Sequence, residues 1–253
     1  MWDVFWVFLG FLGGSALGGA LAAVLGEISL AEDLSPVISP MAVFITTASQ
    51  TLGALAVLAY LSRTRGTGSF ATDFGFEVRL RDWWGLPAGM VLQIVVAVAT
   101  APLLQLLFPD GPPQQDLLDV TESSDGVLDS LLILTALVLL APIAEELIFR
   151  GILLSRLVRS MAMWWAIGAQ AALFALIHLG DPNAIAAIPG IMIIGMVLGY
   201  AAIKTGSLSV PLYLHAGVNL AAALLLLFGG AIVDWLDEMA GIEQTESLIR
   251  LLF

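Results

Sequence analysis

What most limits the fold of this chain is the recurrence of apolar runs about 20 residues long. At 1.5 Å per residue, a helix of that length spans the roughly 30 Å hydrocarbon core of a bilayer. Seven such runs lie near residues 4–26, 37–61, 85–108, 127–154, 163–180, 184–203 and 208–233. Each is too long for a barrel strand, and a bilayer interior forces backbone N–H and C=O groups to pair within their own segment, so each is expected to be a helix. Composition agrees: of 253 residues, 59% are hydrophobic and 12% charged, against about a quarter charged in soluble domains. The expected fold class is all-α, a polytopic integral membrane helix bundle of about seven to eight transmembrane helices with an intramembrane catalytic cavity.

The charges set an orientation. Arg63, Arg65, Arg79 and Arg81 fall between spans two and three, Arg156 and Arg159 between four and five, and Lys204 between six and seven. By parity these connections share one side, which the positive-inside rule assigns to the cytoplasm of a prokaryotic plasma membrane. The other connections, "GEISLAEDLS", "PDGPPQQDLLDVTESSDG" and "LGDPN", hold no basic residue, and the carboxyl-terminal segment holds only Arg250. The amino terminus is then expected inside and the carboxyl terminus outside. A net charge of -12 argues against a nucleic-acid partner. The first run carries Asp3 where a secretory signal would be basic, so it is read as a retained span. The absence of cysteine excludes disulfides, a thiolate nucleophile and a thiolate metal site. The Pro/Asp/Ser-rich stretch at 109–126 divides an amino-terminal three-helix membrane region (1–126) from a catalytic helix bundle (127–228). A break near Gly229-Gly230 would leave an amphipathic tail (229–253).

Within the spans, a few residues do not suit lipid. The run "LLAPIAEELIFRGILLSRLVR" carries Glu145, Glu146 and Arg150, "FALIHLG" carries His178, and "LYLHAGVNL" carries His215 and Asn219. Ionisable groups in a span cost a few kcal/mol, so their default reading is a functional site facing the bundle interior. Glu146 and Arg150 stand at i, i+4 with the glutamate first, the favourable order for an ion pair. On a helix of 3.6 residues per turn Glu145 is rotated about 100° from Glu146, leaving it free to face a cavity. His215 and Asn219 share a face, and Phe174 lies one turn before His178, as ring packing or a pocket wall. Glu145 and His178 are equidistant from "VRSMAMWW", where an antiparallel turn at 161–162 would bring them to one depth. The plainer readings are a structural charge cluster and interhelical hydrogen bonding.

A carboxylate in a low-dielectric site can take a proton from water, with a histidine sharing it, and a second histidine and an asparagine can donate to an oxyanion. These are the parts of an amide hydrolase. There is no H-E-x-x-H, G-x-S-x-G or G-x-G-D motif, which disfavours the zinc-helix, serine and aspartyl designs. The preferred mechanism requires no cofactor. A divalent metal such as zinc remains an alternative, held by Glu145, His178 and His215 with Glu146 as base.

"EELIFR", "FALIH" and "HAGVN" resemble, in order and each in a span, the E-E-x-x-x-R, F-x-x-x-H and H-x-x-x-N/D motifs of the CPBP family. That family comprises the type II CAAX prenyl endopeptidases and the bacteriocin-processing or immunity (Abi) proteins. The resemblance implies that Glu145 activates water with His178, that Glu146 and Arg150 shape the site, and that His215 with Asn219 stabilises the oxyanion. It also implies a membrane-anchored or prenylated, CAAX-like peptide as partner, within the lipid bilayer. Two other functions fit the same residues: a non-catalytic scaffold or immunity protein, and a proton-coupled transporter, for which no matching repeat halves are found. The small residues in "GFLGGSALGGALAAVLG", and Gly190, Gly195 and Gly199, are read as close helix packing. Trp83, Trp84, Trp164 and Trp165 are read as an interfacial belt.

Overall fold

A computed structural model describes residues 2–30, 36–109, 111, 113, 120 and 126–240. The chain is built from helices α1 (Trp2–Val24), α2 (Pro40–Arg65), α3 (Phe70–Phe74), α4 (Gly85–Leu107), α5 (Val127–Leu157), α6 (Met163–Ile177), α7 (Ile188–Thr205) and α8 (Ser209–Ala240). Seven helical segments among the described residues are long and apolar enough to cross a membrane, so the protein is an integral membrane helix bundle. A short hairpin, β1 (Ile28–Leu30) antiparallel to β2 (Pro36–Ile38), joins α1 to α2. Ser39 caps α2, accepting from the Ala42 N–H at 3.0 Å, with Pro40 in the first turn, where its missing donor costs nothing.

Two crossings depend on glycine. A Cβ at Gly18 would lie 2.8 Å from Thr46 Cα, so α1 and α2 touch backbone to backbone along the small-residue stripe. Gly89 and Gly217 do the same for α4 and α8, since a side chain on either would fall on the carbonyl of Leu214 or Leu86. The span-six glycines also serve packing: a Cβ at Gly195 would lie 3.2 Å from the Ala171 Cα. The expected break at Gly229-Gly230 is not there, because α8 continues to Ala240. A glycine pair costs about 1 kcal/mol per residue, too little to end a long apolar helix that meets no proline. The rest of the expected tail, 241–253, lies outside the described residues.

α5 sits at the centre. Val7 and Phe11 of α1, Leu58 of α2, Leu147, Phe149 and Leu154 of α5, Phe174 of α6 and Leu208 belong to one buried cluster, so the amino-terminal region shares its core with the carboxyl-terminal bundle. On the basic face, the Asp3 carboxylate pairs with Arg65 and, at 2.6 Å, with Arg156, joining the starts and ends of α1, α2 and α5. The Leu208 N–H donates to the Gly75 carbonyl and the Arg79 N–H to Ser209 Oγ, each at 2.9 Å, binding the α2–α4 connection to the start of α8. All the basic connections therefore occupy one end of the bundle, as parity requires. The four interfacial tryptophans, all exposed, stand at the starts of α4 and α6 on that same end.

Candidate active site

The local backbone of α5 determines the site. It contains two stretches of π-helix, Thr135–Leu140 and Glu146–Leu154, on either side of Pro142. In the first stretch the Ala141 N–H reaches back five residues to the Ala136 carbonyl. The corresponding donor for Leu137 would be the nitrogen of Pro142, which carries no hydrogen. The Leu137 carbonyl is thereby orphaned, and the side-chain amide of Asn219 on α8 donates to it at 2.8 Å. Thr51 Oγ1 on α2 donates to the Leu140 carbonyl at 3.1 Å. Polar side chains from two neighbours thus satisfy what the proline and the wide turns release, and they lock α2 and α8 onto α5.

The second π stretch begins at Glu146, and there the expectation of diverging glutamates does not hold. A wider turn rotates successive side chains through less than the 100° of an α-helix, and both carboxylates reach the same imidazole. His215 Nδ1 is 2.8 Å from Glu146 Oε1, and His215 Nε2 is 3.5 Å from Glu145 Oε2. A carboxylate accepts, so Nδ1 carries the proton. Glu146 Oε1 also accepts from Arg150 Nη1 at 2.9 Å, the i, i+4 pair expected from sequence, with both side chains fully buried. Arg150 Nη2 donates at 3.3 Å to the Gly195 carbonyl, which also accepts from Gln170 Nε2 at 2.8 Å.

Phe174 is the hub. Its ring meets His178 edge-on at 5.0 Å and His215 at 5.7 Å between centroids, and the Arg150 guanidinium lies 4.5 Å from its centre. The two imidazoles thus flank one phenyl ring. His178, at the end of α6, lies 2.8 Å through Nδ1 from the Phe174 carbonyl. A carbonyl only accepts, so Nδ1 is the donor and Nε2 of the neutral ring presents a lone pair. No hydrogen bond among the described residues engages that nitrogen, and none joins Glu145 to His178.

The structure therefore gathers Glu145, Glu146, Arg150, Phe174, His178 and His215 around one ring and one ion pair. Asn219 departs from the expected arrangement: its amide serves the Leu137 carbonyl rather than standing beside His215 as a free donor. Gln170 was not singled out from sequence. Its signal is the spacing Gln170, Phe174, His178, one residue per turn on one face of α6. In the metal alternative the candidate ligand His215 stands with Nδ1 on Glu146 and with Nε2 3.5 Å from Glu145. No three His, Asp or Glu side chains among the described residues are grouped to hold an ion.

Fold and site together define a polytopic helical membrane protein whose enclosed carboxylate–imidazole cluster is built on α5, α6 and α8. Residues 127–221 match the family model described as Rce1-like, type II CAAX prenyl endopeptidase Rce1-like, which supports membership of the CPBP family for that stretch. The match spans every site residue and leaves α1 to α4 outside it. No curated protein and no solved structure matches the chain.

Proposed function

We propose that this protein is an intramembrane endopeptidase that hydrolyses a peptide bond of a membrane-associated or lipidated, CAAX-like substrate. The observation that carries this reading is the open Nε2 lone pair of His178, set across the Phe174 ring from the His215–Glu145 pair. The family match supports the peptidase class.

In this mechanism a water between Glu145 and His178 gives up a proton to one of these bases as its oxygen adds to the scissile carbonyl carbon. The carbonyl π electrons move to oxygen, giving a tetrahedral oxyanion. The C–N bond then breaks as that proton passes to the departing nitrogen, leaving a carboxylic acid and an amine. His215, with both ring nitrogens protonated, points its Nε2–H toward Glu145 and the developing charge, and Glu146 with Arg150 fixes the orientation of His215. Phe174 spaces the two imidazoles. Asn219 acts at a distance, by holding the α5 backbone where Glu145 projects. No cofactor takes part. The positive-inside rule puts the basic face, and with it the amino terminus, in the cytoplasm.

The test is cleavage of quenched fluorescent peptides, with and without a farnesyl-cysteine, by purified wild type and Glu145→Gln, each with and without chelator. Cleavage by wild type that persists in chelator and is lost in Glu145→Gln supports the mechanism. Equal cleavage by both proteins overturns it. Loss on chelation transfers the chemistry to a metal.

A further inference from the structure

The first two helices, which lie outside the family match, form a groove remote from the α5–α6–α8 site. α1 and α2 touch backbone to backbone at Gly10, Gly14 and Gly18: a Cβ at Gly10 would lie 2.7 Å from the Gly53 carbonyl oxygen, and one at Gly14 2.9 Å from the Gln50 Cα. Between that crossing and the basic end neither helix carries a glycine, α1 reading "WDVFWVFL" and α2 "ALAVLAYLSRTR". Side chains there hold the two axes apart. The result is a groove of about 520 Å³ lined by Trp6 of α1 and by Ala56, Val57, Tyr60, Leu61 and Arg65 of α2, a volume within the usual range of small-ligand sites.

The groove is apolar along its length and cationic at its mouth. Val57, Leu61 and Arg65 follow one another turn by turn on one face of α2, so the apolar wall leads to a guanidinium in the last turn of the helix. The exposed rings of Trp6 and Tyr60 stand on either side, within two turns of the basic end. Asp3, one turn before Trp6, is paired with both Arg65 and Arg156. Two guanidiniums against one carboxylate leave one positive charge. Arg65 gives only Nη1 to that pair, its other N–H groups make no hydrogen bond among the described residues, and 57% of its side chain is exposed. The wider field has the same sign: among the described residues every basic one except Arg150 lies at this end, against only Asp3, Asp73, Glu77 and Asp82 of the acidic ones.

We infer that this groove binds one anionic glycerophospholipid from the leaflet on the basic face. An acyl chain lies against Ala56, Val57 and Leu61 between the Trp6 and Tyr60 rings, and the phosphate meets Arg65, whose planar fork matches two phosphate oxygens. A phosphodiester with an uncharged glycerol head brings the single negative charge that Asp3, Arg65 and Arg156 leave unmatched, whereas a choline head cancels it with its own cation. Through Asp3 and Arg156 the lipid is coupled to the end of α5, so its binding holds α1, α2 and α5 together. The inference does not depend on the hydrolytic reading.

The test uses the full chain, purified in neutral detergent and stripped of lipid. Melting temperature, and retained lipid by native mass spectrometry, are recorded with phosphatidylglycerol, with phosphatidylcholine of the same chains, and with glycerol phosphate alone. Phosphatidylglycerol is expected to raise the melting temperature and to stay bound as a single adduct, well above the effect of the other two. Arg65→Gln should weaken its retention about fivefold, the usual effect of one arginine at an anionic lipid surface, and so abolish the preference over phosphatidylcholine. Because Arg65→Gln also breaks the pair with Asp3, a second variant is needed: Ala56→Phe fills the groove, leaves that pair intact and should lose the adduct. Arg81→Gln, exposed at the same end but off the groove, should keep it. Equal effects of the two lipids, a full shift with glycerol phosphate alone, an adduct that survives Ala56→Phe, or equal losses in Arg65→Gln and Arg81→Gln would each overturn the inference.

Discussion

The side-chain amide of Asn219 donates to the carbonyl of Leu137 at 2.8 Å, across 82 residues of sequence. It supplies the hydrogen bond that Pro142 cannot. Removing a partner from a buried carbonyl costs about 1–3 kcal/mol. Asn219→Ala is expected to lower thermal stability by that order in detergent, and Asn219→Asp, whose ionised carboxylate cannot donate, to be no better. If Asn219→Ala melts with wild type while cleavage is abolished, the amide acts on substrate instead.

Glu146 and Arg150 are mutually dependent because neither is exposed. Truncating one partner of a buried pair leaves an uncompensated charge and costs about 3–5 kcal/mol. Arg150→Met should therefore be severely destabilised, and Glu146→Gln combined with Arg150→Met should recover part of the loss. A double variant no more stable than the single one would show that the pair is not coupled, as urea or thermal melts of all three would reveal.

Glu145 presents the contrasting case. Its contact with His215 is long, at 3.5 Å, and its side chain retains some exposure, so Glu145→Gln should fold with nearly wild-type stability. General-base contributions are typically 10²–10⁴-fold, and kcat should fall by about that factor. Parallel loss of stability and activity would demote Glu145 to a structural role.

The α2–α3 corner outside the membrane carries a pH signature. Asp73 accepts from the Ser62 hydroxyl and, at 2.9 Å, from the Thr67 N–H, and these bonds, the Ser62 one foremost, hold its carboxyl below the usual carboxylate range. With the folded value depressed, its contribution is fully present above the unfolded value near pH 3.9. It is lost as pH falls through the folded value, and nothing changes near neutrality. Asp73→Asn should flatten that acid limb alone, measured as melting temperature against pH.

Gly89 and Gly217 bring α4 and α8 together. Gly89→Ala puts a methyl against the Leu214 carbonyl, an overpacking that costs about 1–3 kcal/mol. Because the residue after Leu214 is His215, the same change should also shift the His215 imidazole signals in an NMR spectrum that contains only two histidines. An unperturbed spectrum would separate that crossing from the site.

What the sequence reveals here follows from length and spacing. The spans were readable because hydrocarbon thickness fixes their length, and the α5–α6 turn because "VRSMAM" interrupts two apolar runs. The Glu146–Arg150 pair and the α1 glycine stripe were readable because each uses ordinary helical neighbours. The convergence of Glu145 and Glu146 on His215 was not, because a fixed period of 3.6 cannot register a widened turn. The proline at 142 shows that a helical hydrogen bond is missing there, but not which form the helix takes around it. Gln170 was hidden because one amide in an alanine-rich helix resembles any other interhelical donor until Gly195 places a carbonyl beside it.

The π stretch from Glu146 to Leu154 has a genetic consequence. A π turn accommodates one residue more than an α turn, so deleting one residue inside this stretch can be absorbed by reverting to α geometry, without breaking the helix or shortening the span. The span would stay intact, but a deletion between Glu146 and Arg150 re-phases the arginine against its buried partner. Such deletions should therefore show as lost stability rather than as a lost span.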